Sequence, residues 1–435
     1  MNLPAITALM VALAVAIGEP GAAAAAPAVQ QPAAVSEIGQ FFNERQGRPF
    51  WFASDNAAEA LLALLEQASL DDLDASHYSI PTLRRLAANA RAGSARDRRG
   101  AEATFSAVFV RYAGDVARER NVGTLYVDPG TRPRPVSAAR LLRVAAAAPS
   151  LADYVGQMRW MHPYYPALRR ALADELKGAN QLRRVRLLAL NRDRARVLPR
   201  GTGDYILVNS AAARLDFYDD GKLKDTMRVV VGEAAQQTPI MAGMVRYAIL
   251  NPYWHVPPDL AQSRLAPRVL SEGQIYLRKK GYEVVSDWSR TATVIPAESI
   301  DWKAVAAGKV EVKVRQRPGP LNGMGEVKFM FPNDLGIYLH DTPGKALFQK
   351  SERTFSAGCV RLEDAQGLKD LILGDTPLAV STKPEQSVAL SRPVPVFLAY
   401  LTAFPLNGKI VEPPDVYKRD DKDAAVIAGG SQATL

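Results

Sequence analysis

The hydrophobic period of the chain changes near Arg200, and this change limits the folds open to it. Upstream, apolar residues recur every three or four positions, as on one face of a helix. Downstream, short runs of β-branched and aromatic residues alternate with Gly- and Pro-rich turns, as in strands. One layer cannot serve both periods, and 435 residues exceed one ordinary core. We therefore expect an α+β chain: an all-α N-terminal scaffold domain over 36–198, then a mainly β domain over 199–414.

Within the first part, Phe41, Phe42, Phe50, Trp51 and Phe52 form an aromatic cluster. Leu61, Leu62, Leu64 and Leu65 share a helical face, with Asp55 or Asn56 as N-cap. Further helices are expected at 82–91, 101–118, 137–147 and 150–176, the last split by Pro163 and Pro166. Another covers 180–190, with Leu182, Val185, Leu188 and Ala189 inward and Arg183, Arg184 and Arg186 outward. In the second part, 204–209 reads as a strand. Residues 214–218 and 223–231 read as a hairpin around Asp220-Gly221. Strands follow at 245–250, 326–331, 337–340, 378–382 and 394–402, and helices at 260–271 and 363–373. The stretch 257–331 reads as lid or insert loops. The charged, then Gly/Ser-containing stretch 415–435 reads as a disordered tail.

The N-terminus points to export. Residues 5–17 are apolar but for Thr7, shorter than the ~20 residues a membrane-spanning helix needs. Gly18, Glu19 and Pro20 stop the run, and 22–26 offers A-x-A cleavage sites. We read 1–26 as a signal peptide, or as an N-terminal anchor associating with the inner membrane, since the first 17 residues carry no Lys or Arg. Residues 27–35 read as a linker. The net charge of +9 favours an acidic partner: nucleic acid, anionic lipid or an anionic cell-wall polymer. No dense basic cluster is interleaved with aromatics, so nucleic acid is not expected.

One stretch concentrates the chemistry. Residues 336–362 hold Cys359, the single cysteine, and His340, one of four histidines. A thiol needs a base or a cation beside it to act near neutral pH. Gly358 permits an exposed elbow, and the amides around Gly358 and Cys359 could serve as oxyanion donors at the start of a following helix. Arg361 is placed to bind a carboxylate or to hold the loop. A single cysteine is more often buried and inert, and His255 is the competing base. With no HExxH and no cysteine pair, neither metal nor cofactor is expected.

Tyr338-Leu339-His340-Asp341 followed by Ser356-Ala357-Gly358-Cys359-Val360-Arg361-Leu362 resembles the catalytic signature of the L,D-transpeptidases of bacterial peptidoglycan. Residues 228–232, Thr238-Pro239, Asn251-Pro252, Trp254 and Val256-Pro257 agree with it, and 41–172 resembles the scaffold domain of the large members. The resemblance implies that Cys359 attacks the diaminopimelate–D-alanine bond of a stem tetrapeptide. A second diaminopimelate amine then resolves the thioester into a cross-link. It makes His340 the base, with Gly358, Arg361, Tyr338, Ser356 and Val360 shaping the oxyanion and substrate site and Trp254 lining the cleft. Neighbouring strand side chains point to opposite faces, so a backbone carbonyl, not the Asp341 carboxylate, should orient His340. Stem peptides as partners, acylation by carbapenems and a periplasmic or envelope location are implied too. The same thioester could serve an L,D-carboxypeptidase, D-amino-acid exchange or protein attachment to the wall. A non-catalytic wall-binding scaffold is disfavoured by the intact pair. Two features depart from the family: Ala357 stands where many members have a second histidine, and only 173–198 is free for the usual wall-binding insertion.

Overall fold

The computed structural model describes residues 31–53, 56–178, 181–289, 291–374 and 383–432. The 1–26 segment and the strand expected at 378–382 lie outside the described residues. Among the described residues, eight helices build the N-terminal part: α1 (Gln31–Glu44), α2 (Ala57–Glu66), α3 (Ile80–Ala92), α4 (Ala95–Ala117), α5 (Ala138–Ala147), α6 (Leu151–Gly156), α7 (Tyr164–Lys177) and α8 (Leu182–Arg194). Helix α1 takes in 31–35, correcting the linker reading there; a proline in a first turn is tolerated. Serine caps set several starts, with a full Ser94/Asp97 capping box on α4. The chain breaks between α6 and α7 at Pro163, whereas Pro166 sits harmlessly in the first turn of α7. Phe41, Phe50, Trp51, Phe109 and Trp160 pack edge to face in the core. The Glu102 carboxylate accepts the backbone N–H groups of Phe50, Trp51 and Phe52 at 2.9, 2.9 and 3.2 Å. Leu182, expected inward, is exposed; the buried face of α8 begins at Leu188.

The β part is a sheet that closes on itself. Its strands are β1 (Leu125–Tyr126), β2 (Tyr205–Asn209), β3 (Arg214–Asp219), β4 (Lys222–Gly232) and β5 (Met241–Leu250), then, after a separate lobe, β10 to β14. The order runs β1-β5-β10-β11-β13-β4-β3-β2-β14, and β14 returns to pair with β5. Here β10 is Val327–Met330, β11 Leu339–His340, β12 Thr354–Ser356, β13 Val360–Leu362 and β14 Gln386–Ala399. Alternation gives β2 and β14 two buried faces: Ile206, Val208, Val396 and Leu398 fill the barrel. Tyr205, Leu207, Phe397 and Ala399 join the helical core. The two parts thus share a wall, and the expected α+β architecture is found.

The stretch 257–331, read as lid or insert loops around a helix at 260–271 and short strands within 281–310, folds into a lobe with a core of its own; the helix and short strands are found. It contains β6 (Trp254–Val256), α9 (Pro258–Leu260), α10 (Ala266–Glu272), α11 (Ile275–Lys280), β7 (Tyr282–Val285), β8 (Val294–Ile295), α12 (Trp302–Ala306) and β9 (Val314–Gln316). Its sheet runs β6-β9-β7-β8 over a core that includes Val256, Leu265, Leu277, Trp302 and Val314. Each strand is short, and β6 and β9 pair far along the chain, so none shows a long alternating signal. After Cys359 the expected helix is preceded by β13; the helix itself, α13, spans Ala365–Leu373 under an Asp364 cap.

The expected disordered tail is also corrected. Asp415 accepts the Tyr400 hydroxyl at 2.6 Å and the Arg419 and Asp420 amides, and α14 (Asp420–Gln432) follows. Buried Arg194 holds its first turn, donating to Asp420 at 2.7 Å and Asp423 at 2.6 Å. Acidic residues in a first turn also suit the helix dipole. Arg192 and Arg196 are buried nearby around Asp193. The fully buried Asp71 accepts from Tyr112 at 2.6 Å, Tyr165 at 2.9 Å and Arg169 Nε at 2.9 Å. Among the described residues no helix is long and apolar enough to cross a membrane. Asp71→Ala should strand Arg169 and two phenols and cost about 3–5 kcal/mol. Denaturant unfolding of the helical part measures this, and a loss below about 1 kcal/mol would contradict the network's weight.

Candidate active site

Strands β11 and β13 pair in parallel, Leu339 opposite Val360 and His340 opposite Arg361, with Val360 N–H donating to Tyr338 O at 2.9 Å. Leu339, Val360 and Leu362 point into the barrel core. Alternation then puts Tyr338, His340, Cys359 and Arg361 together on the outer face. This brings together the two residues singled out from sequence. His340 is buried, and its Nδ1–H donates to the Asp341 carbonyl at 2.6 Å. A carbonyl only accepts, so the lone pair is on Nε2. The Asp341 carboxylate turns away, to Glu326 N at 2.9 Å and Lys345 Nζ at 2.7 Å.

The resting pair is neutral. Burial, then the nearby Arg361 charge, pushes His340 down to about 4, against an opposing pull from Asp341. Burial pushes the Cys359 thiol up, partly offset by the Tyr338 backbone N–H and by Arg361 and Lys328. The thiol donates to Gly336 O at 3.5 Å and makes no hydrogen bond to His340. This long contact through sulfur is a weak restraint.

The elbow is locked from behind. Gly358 has φ +103°, and a Cβ there would meet Ile337 Cδ1 at 3.1 Å. Ser356 Oγ donates to Cys359 O at 2.5 Å and accepts Gly358 N–H at 3.2 Å. That occupies the Gly358 amide and leaves the Cys359 N–H without a hydrogen-bond acceptor among the described residues. The donor precedes strand β13, not a helix start as the sequence reading has it. Thr238 Oγ1 donates to Gly358 O at 2.8 Å and accepts Gly232 N–H at 2.9 Å. The Tyr417 hydroxyl donates to Gly232 O at 2.7 Å and accepts Thr238 N–H at 3.3 Å. The docked C-terminal segment thus braces the residue before Cys359.

Other expected site residues separate. Val360 is a core residue whose amide ties the two strands. Trp254 packs against the lobe core, near Tyr282 at 6.2 Å and close over Gly323, at the root of the lobe. His255 lies edge to face on Trp288 at 5.0 Å, with Lys328, Glu385 and Arg315 as its charged neighbours. Ala357 packs against the lobe core, so the lobe reaches the elbow. Three residues went unread in the sequence: Thr238 as a brace, Tyr417 in the supposed tail, and Lys328. The last is opposite His340 in β10. Its one signal was a lysine inside the apolar strand 327–330. Among the described residues no group of three or more His, Cys, Asp or Glu side chains could hold a metal ion.

Residues 36–172 match the scaffold domain family, and residues 203–383 match the L,D-transpeptidase catalytic domain family. A Haemophilus influenzae protein named "Putative L,D-transpeptidase" is 31% identical over 277 residues, 62% of this chain and 55% of that protein. The chain thus matches about half the length of that relative. An L,D-transpeptidase structure from Mycobacterium smegmatis aligns with 46% of this chain and 59% of its own, at 12% identity and a TM-score of 0.24. A likeness that slight carries no argument.

If burial sets the charge of His340, its imidazole should titrate near 4. It should then be neutral from about pH 5 upward and protonate only as pH falls through that value. NMR titration of labelled histidine, assigned with His340→Gln, reads this directly; a midpoint at or above the ordinary 6.5 would contradict it.

Proposed function

The chain couples a scaffold domain to an L,D-transpeptidase catalytic domain and so belongs to the scaffold-bearing L,D-transpeptidases; from this premise we propose that Cys359 cross-links peptidoglycan stem peptides. The observation that carries the reading is the shared face of Cys359 and His340, with the His340 tautomer fixed by the Asp341 carbonyl.

In this proposal a donor tetrapeptide enters over the outer face of β11 and β13, and the thiol swings from Gly336 O to His340 Nε2. His340 takes the thiol proton as sulfur attacks the carbonyl carbon that joins diaminopimelate to D-alanine. The neutral resting pair favours proton transfer concerted with attack over a standing thiolate. The unoccupied Cys359 N–H receives the developing oxyanion. The C–N bond breaks, His340 returns the proton to the leaving nitrogen, and D-alanine departs. The thioester remains on Cys359. The side-chain amine of a second diaminopimelate attacks it and passes a proton to His340; the C–S bond breaks as the new amide forms, and His340 returns that proton to sulfur, restoring the thiol. The lobe over 257–331 forms the acceptor side of the cleft, because Ala357 joins its core to the elbow. We take 36–198 as the scaffold and 199–414 as the catalytic part, braced by the C-terminal segment. Such an enzyme works at the cell envelope, where its substrate is.

Product analysis with purified tetrapeptide muropeptides tests this. Wild type should give cross-linked dimers and free D-alanine. Cys359→Ala should lose at least about a hundredfold in rate while keeping its fold. Dimers from Cys359→Ala, or tripeptide alone from wild type, would contradict the proposal.

A further inference from the structure

Lys328 is a charged residue in a barrel strand. Its neighbours Val327 and Phe329 fill the core, so Lys328 takes the opposite face, directly across from His340. Its side chain is only 10% exposed, yet its ammonium makes no hydrogen bond among the described residues. The Glu385 carboxylate stands 4.0 Å away and the Tyr338 ring centre 5.9 Å. An ammonium offers three donors, and one carboxylate at that distance leaves them unfilled. Arg361, on the other side of His340, is in the same condition. Its Nε is buried without a partner, and no acid pairs with its guanidinium among the described residues. Both charges act on the Cys359 sulfur. Burial lowers the affinity of each group for its proton, opposed at Lys328 first by the Glu385 carboxylate.

A buried and a partly buried cation, neither with a hydrogen-bond partner among the described residues, suit an anion brought by the ligand. The anion must lie close to the scissile bond, because Lys328, His340 and Arg361 stand side by side on adjacent strands and share their outer face with the attacking sulfur. In a stem tetrapeptide, the carboxylate of the terminal D-alanine is one carbon from the scissile nitrogen. The distal carboxylate of diaminopimelate is a whole side chain away. We propose that Lys328 and Arg361 together grip the carboxylate of the departing D-alanine, and that Lys328 makes the enzyme specific for donors with a free C-terminal carboxylate. The inference rests on the transpeptidase reading above. It goes beyond that reading by assigning the leaving-group subsite and a residue for it.

The test uses the full chain and three synthetic donors: the tetrapeptide, its C-terminal amide, and a tetrapeptide amidated only on the distal diaminopimelate carboxylate. D-alanine or D-alaninamide release gives kcat/KM. Wild type should lose about tenfold or more on the C-terminal amide and little on the other. Lys328→Met should lose a similar factor on the tetrapeptide and no more on the C-terminal amide, so that the preference collapses. Lys328→Arg, which keeps the charge, should retain most of the preference. Equal loss by Lys328→Met on all donors would make its role merely structural and overturn the proposal. So would a wild type that turns over both terminal forms equally, or a preference that follows the distal carboxylate. Thermal melting of each variant separates misfolding from lost recognition. If Lys328→Met melts early, the wild-type donor ratios and Lys328→Arg still decide. A wild type inactive on every donor would instead overturn the activity itself.

Discussion

Everything at the site hangs on a parallel pairing only two residues long, His340 against Arg361 and Leu339 against Val360. It fixes which side chains share the outer face. Leu339 and Val360 anchor it in the barrel core, and the alternation of the strands does the rest. So short a ladder is weak by itself. Its strength comes from β10 and β4 on either side and from the braces behind the elbow, Thr238 and Tyr417.

The same economy extends across the molecule. Strands β2 and β14 face two cores, so the helical part is a wall of the barrel and not an appendage on a linker. A buried arginine links it to the rest: Arg194 of α8 clamps the C-terminal helix. Breaking such a pair on one side leaves an uncompensated charge in low dielectric, far costlier than losing a surface bridge. Through α14 and Tyr417 that clamp continues to Gly358. The scaffold is therefore mechanically continuous with the catalytic elbow.

Legibility followed locality. Cys359 and His340 could be found because each is rare in the chain and the elbow is a contiguous motif. Strand parity alone turned the Asp341 carboxylate away from His340, but which carbonyl orients the ring could not be read from it. The helices of the first part carried their own period and caps. Lys328 was hidden because its parity with His340 exists only once β10 and β11 pair. Tyr417 and α14 were misread because their composition resembles a solvated tail. Their partner, Arg194, is 226 residues from Asp420. The lobe was read as loops because its strands are two to four residues long and are stabilised only by one another.

The central claim is that Cys359 itself carries the acyl group between donor and acceptor. Incubating the enzyme with a tetrapeptide donor and no acceptor, quenching in acid and mapping peptides by mass spectrometry tests it most directly. The account predicts a tripeptidyl adduct on the peptide containing Cys359, joined through sulfur and cleaved by hydroxylamine. Release of D-alanine with the adduct on another residue, or with no adduct at any time after mixing, would contradict it.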